Sequence, residues 1–575
     1  MNFIRTVFLC WAALCAVSVH AASARPNVIL IMTDDQGYGD LAVYGNPWLR
    51  TPNLDQLHAE SVRFTNFHVD PTCAPTRSAL MTGRYSTRTG CWHTIMGRSL
   101  IFHDEALMPK YFKQAGYATG VFGKWHLGDN YPMRPQDRGF DTAVVNGGGG
   151  VGQTPDWWGN DYFDDTYWKN GKPEPFNGYC TDVFFDEAEK FVTEHQKEPF
   201  FVYLPTNVAH SPYHVAEKYT QRLLDLGLPR TPARFFGMIE NFDERLGRFR
   251  DFLKKKGLEE NTIFIFMTDN GTAEGIPWDG SGNADWKGFN AGMRGKKGSQ
   301  FDGGHRVPFF IRWPAGNIGG GRDVASIAAH IDVLPTLMEL CGLKMGPPNL
   351  LDGRSLVPLL RGTPGDWPAR TLFAHVQREE IPPKWVSSAV MTDRWRLIDG
   401  QALYNMDADP GEITDVAANF PDVVKHLRAD YETWWSSLVP SFSKYGSITI
   451  GADADNPARL TCHDWHSEQP IPWDQGHIRR DMWVNGYWMI EVAKTGRYKF
   501  TLYRQPQQAM HRLEATLARV NVNGVEAEMP VPGDATSVTL QLELKPGPAK
   551  LQTWLINEPG NKMRGAFFVH VRRVE

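Results

Sequence analysis

The sequence predicts an α/β fold with a mostly parallel central sheet, followed by a β-rich region. Short apolar runs at residues 27–32, 200–204 and 262–267 are typical of strands buried on both faces. Helix-like stretches at 182–195 and 233–256 lie between them. Strands that alternate with helices favour a parallel sheet, and ligands of such sheets bind beyond the carboxyl ends of the strands. Polar residues follow each run, so we expect them to form one site.

The composition is that of a folded protein with little net charge. The 575 residues are enough for two or three domains. Hydrophobic residues make up 42% of the chain, which excludes a mainly disordered or fibrous protein. The net charge is −5, whereas a dedicated nucleic-acid binder normally carries a basic excess. We therefore expect no nucleic-acid partner.

The N-terminus has the pattern of a secretory signal peptide. Arg5 precedes an apolar run over residues 6–19, and small residues follow at 21–24. We predict a signal peptide over residues 1–22 and an exported, periplasmic or extracellular protein. Later stretches are too short or too polar to cross a bilayer, so no membrane span is expected after signal removal. None of the cysteines lies in a CxxC pattern, which argues against a zinc site built on thiolates.

The pattern along the chain changes near residue 440. Residues 23–440 are predicted to form the α/β domain, with a strand-like pattern from about residue 370. Residues 441–575 alternate between polar and apolar types and are divided by Gly, Pro and Asn turns, which predicts a β-rich accessory domain, a sandwich. Residues 146–177 are rich in Gly, Trp and Tyr and are interpreted as a long surface loop.

Two pairs of oxygen-bearing residues follow predicted strands. Asp34 and Asp35 come after the first run, and Asp269 and Asn270 after the third. Carboxylates and amides are the hard donors that Ca²⁺ or Mg²⁺ prefers. Either pair alone is equally well explained as a turn, but two such pairs at the ends of buried strands favour a metal site.

A short motif around Cys73 carries the most specific information. Residues 71–84 read PTCAPTRSALMTGR, which contains C-x-P-x-R followed closely by T-G-R. This motif resembles the signature of the formylglycine-dependent sulfatases. The usual fourth residue of that signature is Ser, and here it is Thr76. A bare C-x-P-x-R match is weak, but the match extended to the T-G-R tail is strong.

The resemblance covers most of residues 26–440. The matching residues outside the motif are the metal pairs Asp34–Asp35 and Asp269–Asn270, Lys124 and His126 in the block at 123–128, His210, Lys297, the block at 303–308 and the stretches at 403–406 and 409–412. The resemblance implies an alkaline-phosphatase-like α/β sandwich with a small antiparallel sheet at its C-terminal end. Residues 23–440 are then the sulfatase catalytic domain, with the small-sheet subdomain beginning near residue 370.

The resemblance also implies the chemistry. A separate formylglycine-generating enzyme converts Cys73 to formylglycine, and the hydrated aldehyde attacks sulfur. The implied metal is Ca²⁺, with Mg²⁺ as the open alternative, and its implied ligands are Asp34, Asp35, Cys73, Asp269 and Asn270. The implied catalytic residues are Cys73, Arg77, Lys124, His126, His210 and Lys297. Within this set His210, assisted by Lys297, protonates the leaving alcohol, and His126 deprotonates the second hydroxyl. Arg77 and Lys124 orient the diol.

The sequence indicates the substrate less specifically than it indicates the chemistry. Trp157 and Trp158 lie in the Gly-rich loop, where a flat indole face suits a sugar or an aromatic ring, and His305 is a candidate contact to the leaving group. His463, Trp465 and His466 open the C-terminal region; a structural role is favoured for them, and contact with the rim of the cleft is the alternative. We expect a sulfated carbohydrate or an aryl sulfate. A phosphodiester or phosphonate monoester hydrolase is the alternative, and a non-catalytic binding protein is disfavoured because the site residues are all present.

Overall fold

The computed structural model describes residues 25–278, 286–344, 351–363, 365, 367–480 and 482–574. The predicted signal peptide, residues 1–22, lies outside the described residues. Within the described ranges, no helix has both the length and the apolar character needed to cross a membrane.

A large sheet forms the centre of the molecule. The first twelve strands of the described chain are β1 (Asn27–Thr33), β2 (Val62–Phe64), β3 (Phe67–His68), β4 (Ala118–Lys124), β5 (Thr142–Asn146), β6 (Thr166–Lys169), β7 (Lys172–Pro175), β8 (Phe200–Pro205), β9 (Thr262–Thr268), β10 (Phe309–Arg312), β11 (Arg322–Val324) and β12 (Ala328–Ala329). Ten of these described strands pair in the order β11-β2-β10-β9-β1-β8-β4-β5-β6-β7. The central strands β9, β1, β8, β4 and β5 run parallel. The predicted parallel sheet is confirmed.

Helices cover both faces of this sheet. The helices of the described chain are α1 (Pro52–Glu60), α2 (Cys73–Thr82), α3 (Ser86–Thr89), α4 (Met108–Gln114), α5 (Cys180–His195), α6 (Glu217–Asp225), α7 (Arg230–Lys255), α8 (Asp302–His305), α9 (Val333–Leu340), α10 (Val357–Leu360), α11 (Pro421–Leu438) and α12 (Gln475–Arg479). Alternate residues of β1 enter two different apolar clusters: Leu30 packs with α2 and α9, and Ile31 packs with α5 and α7. Burial on both faces explains why β1 is apolar throughout.

The region predicted as one long loop contains a hairpin. Strands β6 and β7 extend the sheet as an antiparallel edge. Asn170 and Gly171 form its turn, and both have positive φ, 49° and 79°. An Asn-Gly pair is a strong hairpin signal, so the sequence carried this information. The surrounding Gly and Trp residues concealed the alternation that marks a strand.

The small antiparallel sheet is present as the resemblance implied. It consists of β13 (Leu372–His375), β14 (Ser388–Met391), β15 (Trp395–Ile398) and β16 (Ala402–Asn405), paired in that order. Helix α11 covers it through residues such as Tyr431 and Trp434, which share an apolar cluster with Leu372 and Val390. This packing explains the aromatic face of α11.

The remainder of the chain, which we name the C-terminal β region (residues 448–573), is built of two further sheets. Its strands are β17 (Ile448–Ile450), β18 (Ala458–Thr461), β19 (Tyr487–Val492), β20 (Gly496–Tyr503), β21 (Leu517–Val522), β22 (Val525–Pro530), β23 (Val538–Leu544), β24 (Gly547–Asn557), β25 (Lys562–Arg564) and β26 (Phe568–Arg573). Pairing is antiparallel except between β17 and β19. Burial alternates strictly along β23, as expected of a strand with one face in a core. The domain boundary near residue 440 stays a prediction.

Candidate active site

Strand register brings the two predicted metal pairs together. Thr33 of β1 pairs with Thr268 of β9, so Asp34 and Asp269 emerge side by side at the carboxyl edge of the sheet. The Asp35 amide donates a hydrogen bond to Asp269 Oδ1 at 3.1 Å, and Asn270 Nδ2 donates to Asp35 Oδ1 at 2.9 Å. The four residues therefore form one cluster at the end of adjacent parallel strands.

This cluster has the donor set of a hard-cation site. Ligand atoms of Asp34, Cys73 and Asp269 lie within 4.8 Å of one another. Asp34 Oδ1 and Asn270 Oδ1 are buried and accept no hydrogen bond from the described residues. A buried carboxylate or amide oxygen without a partner is costly, and a bound cation would satisfy both oxygens. The residues present fit Ca²⁺ or Mg²⁺.

Three cationic side chains, two buried and one partly buried, neutralise the carboxylates individually. Lys124 Nζ lies 2.5 Å from Asp34 Oδ2, and Lys297 Nζ lies 2.7 Å from Asp35 Oδ1. Arg77 Nη2 lies 2.7 Å from Asp269 Oδ2 and its Nη1 donates to the Lys124 carbonyl at 2.9 Å. These groups come from three different elements, α2, the end of β4 and the loop before α8.

The carboxylates differ in their pKa values. Burial raises the pKa of Asp35, but Lys297, His210 and Lys124 together outweigh it and hold that pKa below its usual range. Burial, reinforced by the Asp34 carboxylate, raises the pKa of Asp269 to about 6. Asp269 thus resists ionisation beside Asp34, and a divalent ion would relieve the repulsion between these two carboxylates.

Cys73 is the first residue of α2, and Arg77 follows one turn later on the same side of the helix. Its side chain is buried, and burial raises the pKa of the thiol even though Lys124 and Lys297 oppose this effect. Reactive cysteines normally have lowered pKa values. As an unmodified thiol, Cys73 is therefore poorly suited to act as a nucleophile.

The two predicted catalytic histidines have distinct hydrogen bonds. His126 Nε2 lies 2.8 Å from the Thr94 carbonyl, and His210 Nδ1 lies 2.7 Å from the Ser211 carbonyl. A carbonyl only accepts, so these nitrogens carry the hydrogen in the neutral rings. Nδ1 of His126 then remains bare, buried and without a partner among the described residues. His210 Nε2 is also bare and lies 3.9 Å from Asp35 Oδ2.

Both histidines are held neutral by their surroundings. Burial, with the Lys297 charge, lowers the pKa of His210 to about 3. Burial and Lys124 lower the pKa of His126 well below its usual value. In this state each ring has one unprotonated nitrogen that can accept a hydrogen bond.

The glycines at 147–150, predicted only as part of a long surface loop, lie against both histidines. A Cβ on Gly149 would lie 2.3 Å from His126 Cε1, and one on Gly150 would lie 3.1 Å from His210 Nδ1. The Gly149 amide donates to Gln153 Oε1 at 2.8 Å. The repeated glycines at 147–150 were the available signal, because a backbone that approaches functional side chains closely excludes a Cβ.

His463, interpreted from the sequence as structural, lies beside His126. Their ring centroids are 6.2 Å apart, and His463 is buried. Its Nδ1 lies 3.1 Å from Asp464 Oδ1, and its carbonyl accepts a hydrogen bond from the Met96 amide at 3.0 Å. The C-terminal β region therefore reaches the neighbourhood of the carboxylate cluster, which is the less favoured of the two interpretations of the HDWH stretch at 463–466.

The structure corrects the prediction that His305 contacts the leaving group. Its ring is fully buried, with Nδ1 3.0 Å from His68 Nδ1 and Nε2 donating to the Gln300 carbonyl at 3.0 Å. The short helix α8 turns this side chain toward the buried ion pair of Asp302 and Arg396 instead of toward the cleft.

The tryptophans of the Gly-rich segment are half-buried. Trp157 packs edge-on against Trp168 at a centroid distance of 6.1 Å, and Trp158 lies under the Arg479 guanidinium at 4.5 Å. Sugar stacking by Trp157 and Trp158 stays a prediction.

The fold and this cluster define the class of alkaline-phosphatase-like hydrolases. Residues 26–343 match the family described as Sulfatase, and residues 296–434 match the one described as N-sulphoglucosamine sulphohydrolase, C-terminal. The chain belongs to the sulfatase family and is a sulfuric ester hydrolase.

Relatives extend over most of the chain. Arylsulfatase A of Homo sapiens is 32% identical and aligns with 80% of this chain and 97% of its own length. N-acetylgalactosamine-6-sulfatase of Rattus norvegicus is 31% identical over 62% of this chain and 70% of its own length. The crystal structure of Ps i-CgsB in complex with k-i-k-neocarrahexaose is 27% identical, with a TM-score of 0.63 over 71% of this chain and 92% of that chain.

Proposed function

We propose that the protein is an exported sulfatase that hydrolyses sulfate esters on a sulfated carbohydrate, with a formylglycine made from Cys73 and with Ca²⁺. The observation that carries this proposal is the buried position of Cys73 within 4.8 Å of the Asp34 and Asp269 ligand atoms. The relative named N-acetylgalactosamine-6-sulfatase and the solved complex with k-i-k-neocarrahexaose support a carbohydrate, and the relative named arylsulfatase A keeps an aryl sulfate as the second candidate substrate. The N-terminal pattern of residues 1–22 supports export to the periplasm or the exterior.

Five residues would hold the cation: Asp34, Asp35, Asp269, Asn270 and residue 73. When bound, Ca²⁺ supplies Lewis acidity at residue 73 and positive charge toward the sulfate oxygens. Mg²⁺ prefers stricter octahedral geometry, whereas three carboxylates and an amide give the adjustable oxygen coordination that Ca²⁺ favours.

A formylglycine at position 73 supplies a hydrated aldehyde, whose first hydroxyl attacks sulfur and whose second hydroxyl permits release of sulfate. The unmodified thiol has a raised pKa, which is why we propose that it serves as a precursor. Thr76 does not disturb this site, because its hydroxyl donates to the Asp70 carbonyl at 2.9 Å. The Ser-to-Thr departure is therefore accommodated locally.

The cationic residues of the chain handle the sulfate charge. Arg77 and Lys124 lie against the carboxylates that surround residue 73, so they orient its hydroxyls and stabilise developing negative charge. A fixed, buried arrangement of this kind requires little reorganisation during the reaction.

The proton transfers follow from the hydrogen bonds of the histidines. His126 Nδ1 is bare, so we assign it as the base that deprotonates the second hydroxyl of residue 73. His210 Nε2 can donate a proton only when the ring is an imidazolium, and an arriving sulfate anion would favour that form. We therefore assign protonation of the leaving alcohol to His210, with Lys297 beside it as the permanently charged partner.

The decisive experiment has two measurements on protein purified from its natural host. Mass spectrometry of the peptide that contains residue 73 should show the change from a CH₂–SH to a CHO side chain. Turnover should be found on a panel of sulfated sugars and exceed turnover of phosphate diesters and phosphonate monoesters. An intact thiol in active protein would refute the formylglycine proposal, and faster phosphodiester turnover would favour the alternative hydrolase.

A further inference from the structure

A second concave feature lies away from the catalytic cluster. A cavity of about 210 Å³ is enclosed between the α/β body (residues 25–344) and the C-terminal β region. Space of this size holds roughly a dozen waters, far more than a packing defect. Ligand sites occur preferentially at such junctions between structural units.

Aromatic side chains form one wall of the cavity. Trp157 and Trp168 line it, with their ring planes at 71° to each other. Trp168 belongs to the hairpin strand β6. An indole face offers a flat apolar surface that matches the C–H face of a pyranose ring.

An arginine beside this aromatic wall supplies a positive charge that no carboxylate of the described residues pairs with. Arg459, on strand β18, lies over the Trp168 ring at 5.4 Å and is exposed. No carboxylate of the described residues forms an ion pair with it, in contrast to Arg134, which also lines the cavity and is paired with Asp137 and Asp455. A planar guanidinium held on an aromatic face is well suited to bind a sulfate group.

The acidic residues that line the cavity are mostly engaged by the protein. Asp129 accepts from the Gly148 amide, and Asp156 accepts from the Gly147 and Gly152 amides. Asp464 is bonded to His463. Burial raises the pKa of Asp156 well above its usual value and that of Asp129 to about 6, so both groups resist ionisation and oppose the charge of Arg459 less than exposed carboxylates would. The exposed amides Gln507 and Gln508 at the rim suit hydroxyl groups.

The cavity does not include the catalytic side chains, but it lies close behind them. Asp129 and Asp464 line it, and each is joined to a neighbour of His126: Asp129 through the Gly148 amide and Asp464 through His463. An oligosaccharide bound in this cavity would therefore lie near the catalytic centre without occupying it.

We propose that this cavity is a binding site for a sulfated saccharide, distinct from the catalytic centre, in which a sugar ring rests on Trp157 and its sulfate pairs with Arg459. The choice of a sulfated saccharide as the ligand rests on the proposed sulfatase function; the existence of the cavity does not. It gives the C-terminal β region a role in holding the glycan chain.

Calorimetry on the full-length Cys73→Ala protein tests the proposal, with a defined sulfated carrageenan tetrasaccharide, its desulfated form and inorganic sulfate as probes. Arg459→Ala is expected to weaken binding of the sulfated tetrasaccharide by about tenfold or more, since a charge-assisted bond is lost. Trp157→Ala should act similarly. The matched pair Trp395→Ala and Arg394→Ala, a tryptophan and an arginine stacked at 4.9 Å outside the cavity, should have no effect on this affinity.

Turnover of a small aryl sulfate with Cys73 intact provides the second measurement, and Arg459→Ala should leave it unchanged. Equal tetrasaccharide affinity in Arg459→Ala and its parent would overturn the proposal, as would loss of aryl sulfate turnover in that variant. If the parent turns over aryl sulfate yet binds no tetrasaccharide, the cavity proposal fails and the sulfatase proposal stands. If the tetrasaccharide binds in an Arg459-dependent way but the protein hydrolyses no sulfate ester, the cavity proposal stands and the sulfatase proposal fails.

Discussion

At the scale of single residues, the chemistry depends on position 73. A serine there would offer one hydroxyl where the hydrated aldehyde offers two, so Cys73→Ser should be sulfated once and then trapped. We expect turnover to fall by about a thousandfold or more, with the sulfated protein detected by intact mass. Cys91→Ser is the control, because Cys91 is a buried thiol bonded to the Ser99 carbonyl away from the cluster. Sustained turnover by Cys73→Ser would exclude the proposed mechanism.

The carboxylate cluster predicts that stability depends on a cation. Ca²⁺ at about a hundred times its dissociation constant should stabilise the protein by about 2–3 kcal/mol, seen as a rise in the melting temperature after chelator-treated protein is resupplied. Asp269→Asn removes one ligand and should abolish the rise. Asp323→Asn changes an exposed carboxylate that pairs with Arg63, so it should retain the rise. An unchanged rise in Asp269→Asn would place the ion elsewhere.

Substitution of Gly149 tests whether catalysis requires the His126 ring in its present position. A Cβ at this position would lie 2.3 Å from the His126 ring, so Gly149→Ala must displace the ring. We expect kcat to fall by about tenfold or more because catalysis depends on placement within an ångström, while the melting temperature changes little. Gly150→Ala has a looser contact, 3.1 Å from His210 Nδ1, and should have a smaller effect. Wild-type kcat in Gly149→Ala would show that His126 is not needed in its present position.

At the scale of elements, one side chain ties the Gly-rich segment to the C-terminal β region. Gln475, at the start of α12, accepts from the Gly159 amide at 3.0 Å and donates to the Trp157 carbonyl at 3.1 Å. The backbone amide of Gln475 also donates to the Gly152 carbonyl at 3.0 Å. The segment that lies against His126 and His210 is thus held by residues more than 300 positions away.

Gln475→Ala should loosen this segment. Loss of these buried hydrogen bonds is expected to cost about 1–3 kcal/mol locally. Hydrogen exchange over residues 147–160 should accelerate, and KM for a sulfated sugar should rise. Gln469→Ala is the control, because Gln469 is exposed. Unchanged hydrogen-exchange rates in Gln475→Ala would show that the main-chain hydrogen bonds are enough to hold the segment.

At the scale of the whole molecule, buried neutral histidines predict acid sensitivity. Burial lowers the pKa of His375 and of His93 to about 3, and that of His570 to about 4. Unfolded histidine titrates near about 6.5. Because the folded pKa is lower, the stabilisation is complete above about pH 6.5 and is lost as the pH falls toward about 3.

The melting temperature should therefore be lower at about pH 5 than at about pH 7.5. His375→Gln removes one of these groups and should reduce the difference, since the unfolded state no longer gains that proton. His426→Gln is the control, because the His426 side chain is 74% exposed. An equal pH difference in His375→Gln and the parent would show that other groups govern the acid response.

Much of the candidate site was predictable because its signals are local. The polar residues after β1 and β9, the Cys73 motif, Lys124 and Lys297 were all named from the sequence, and the structure brings them together. The parallel sheet followed from the same apolar runs. In contrast, the β6–β7 hairpin was missed although its Asn170-Gly171 turn was visible, because alternation in those short strands is weak.

The sequence by itself determined the family, the parallel sheet and the chemical types at the site, because motif spacing and apolar runs are properties of contiguous residues. Only the tertiary structure decided that His305 is buried with His68, that His463 stands beside His126 and that Gln475 holds the Gly-rich segment. These contacts join residues far apart in the chain, and they depend on which surfaces pack together, which no local pattern encodes. The cavity between Trp157 and Arg459 exists for the same reason.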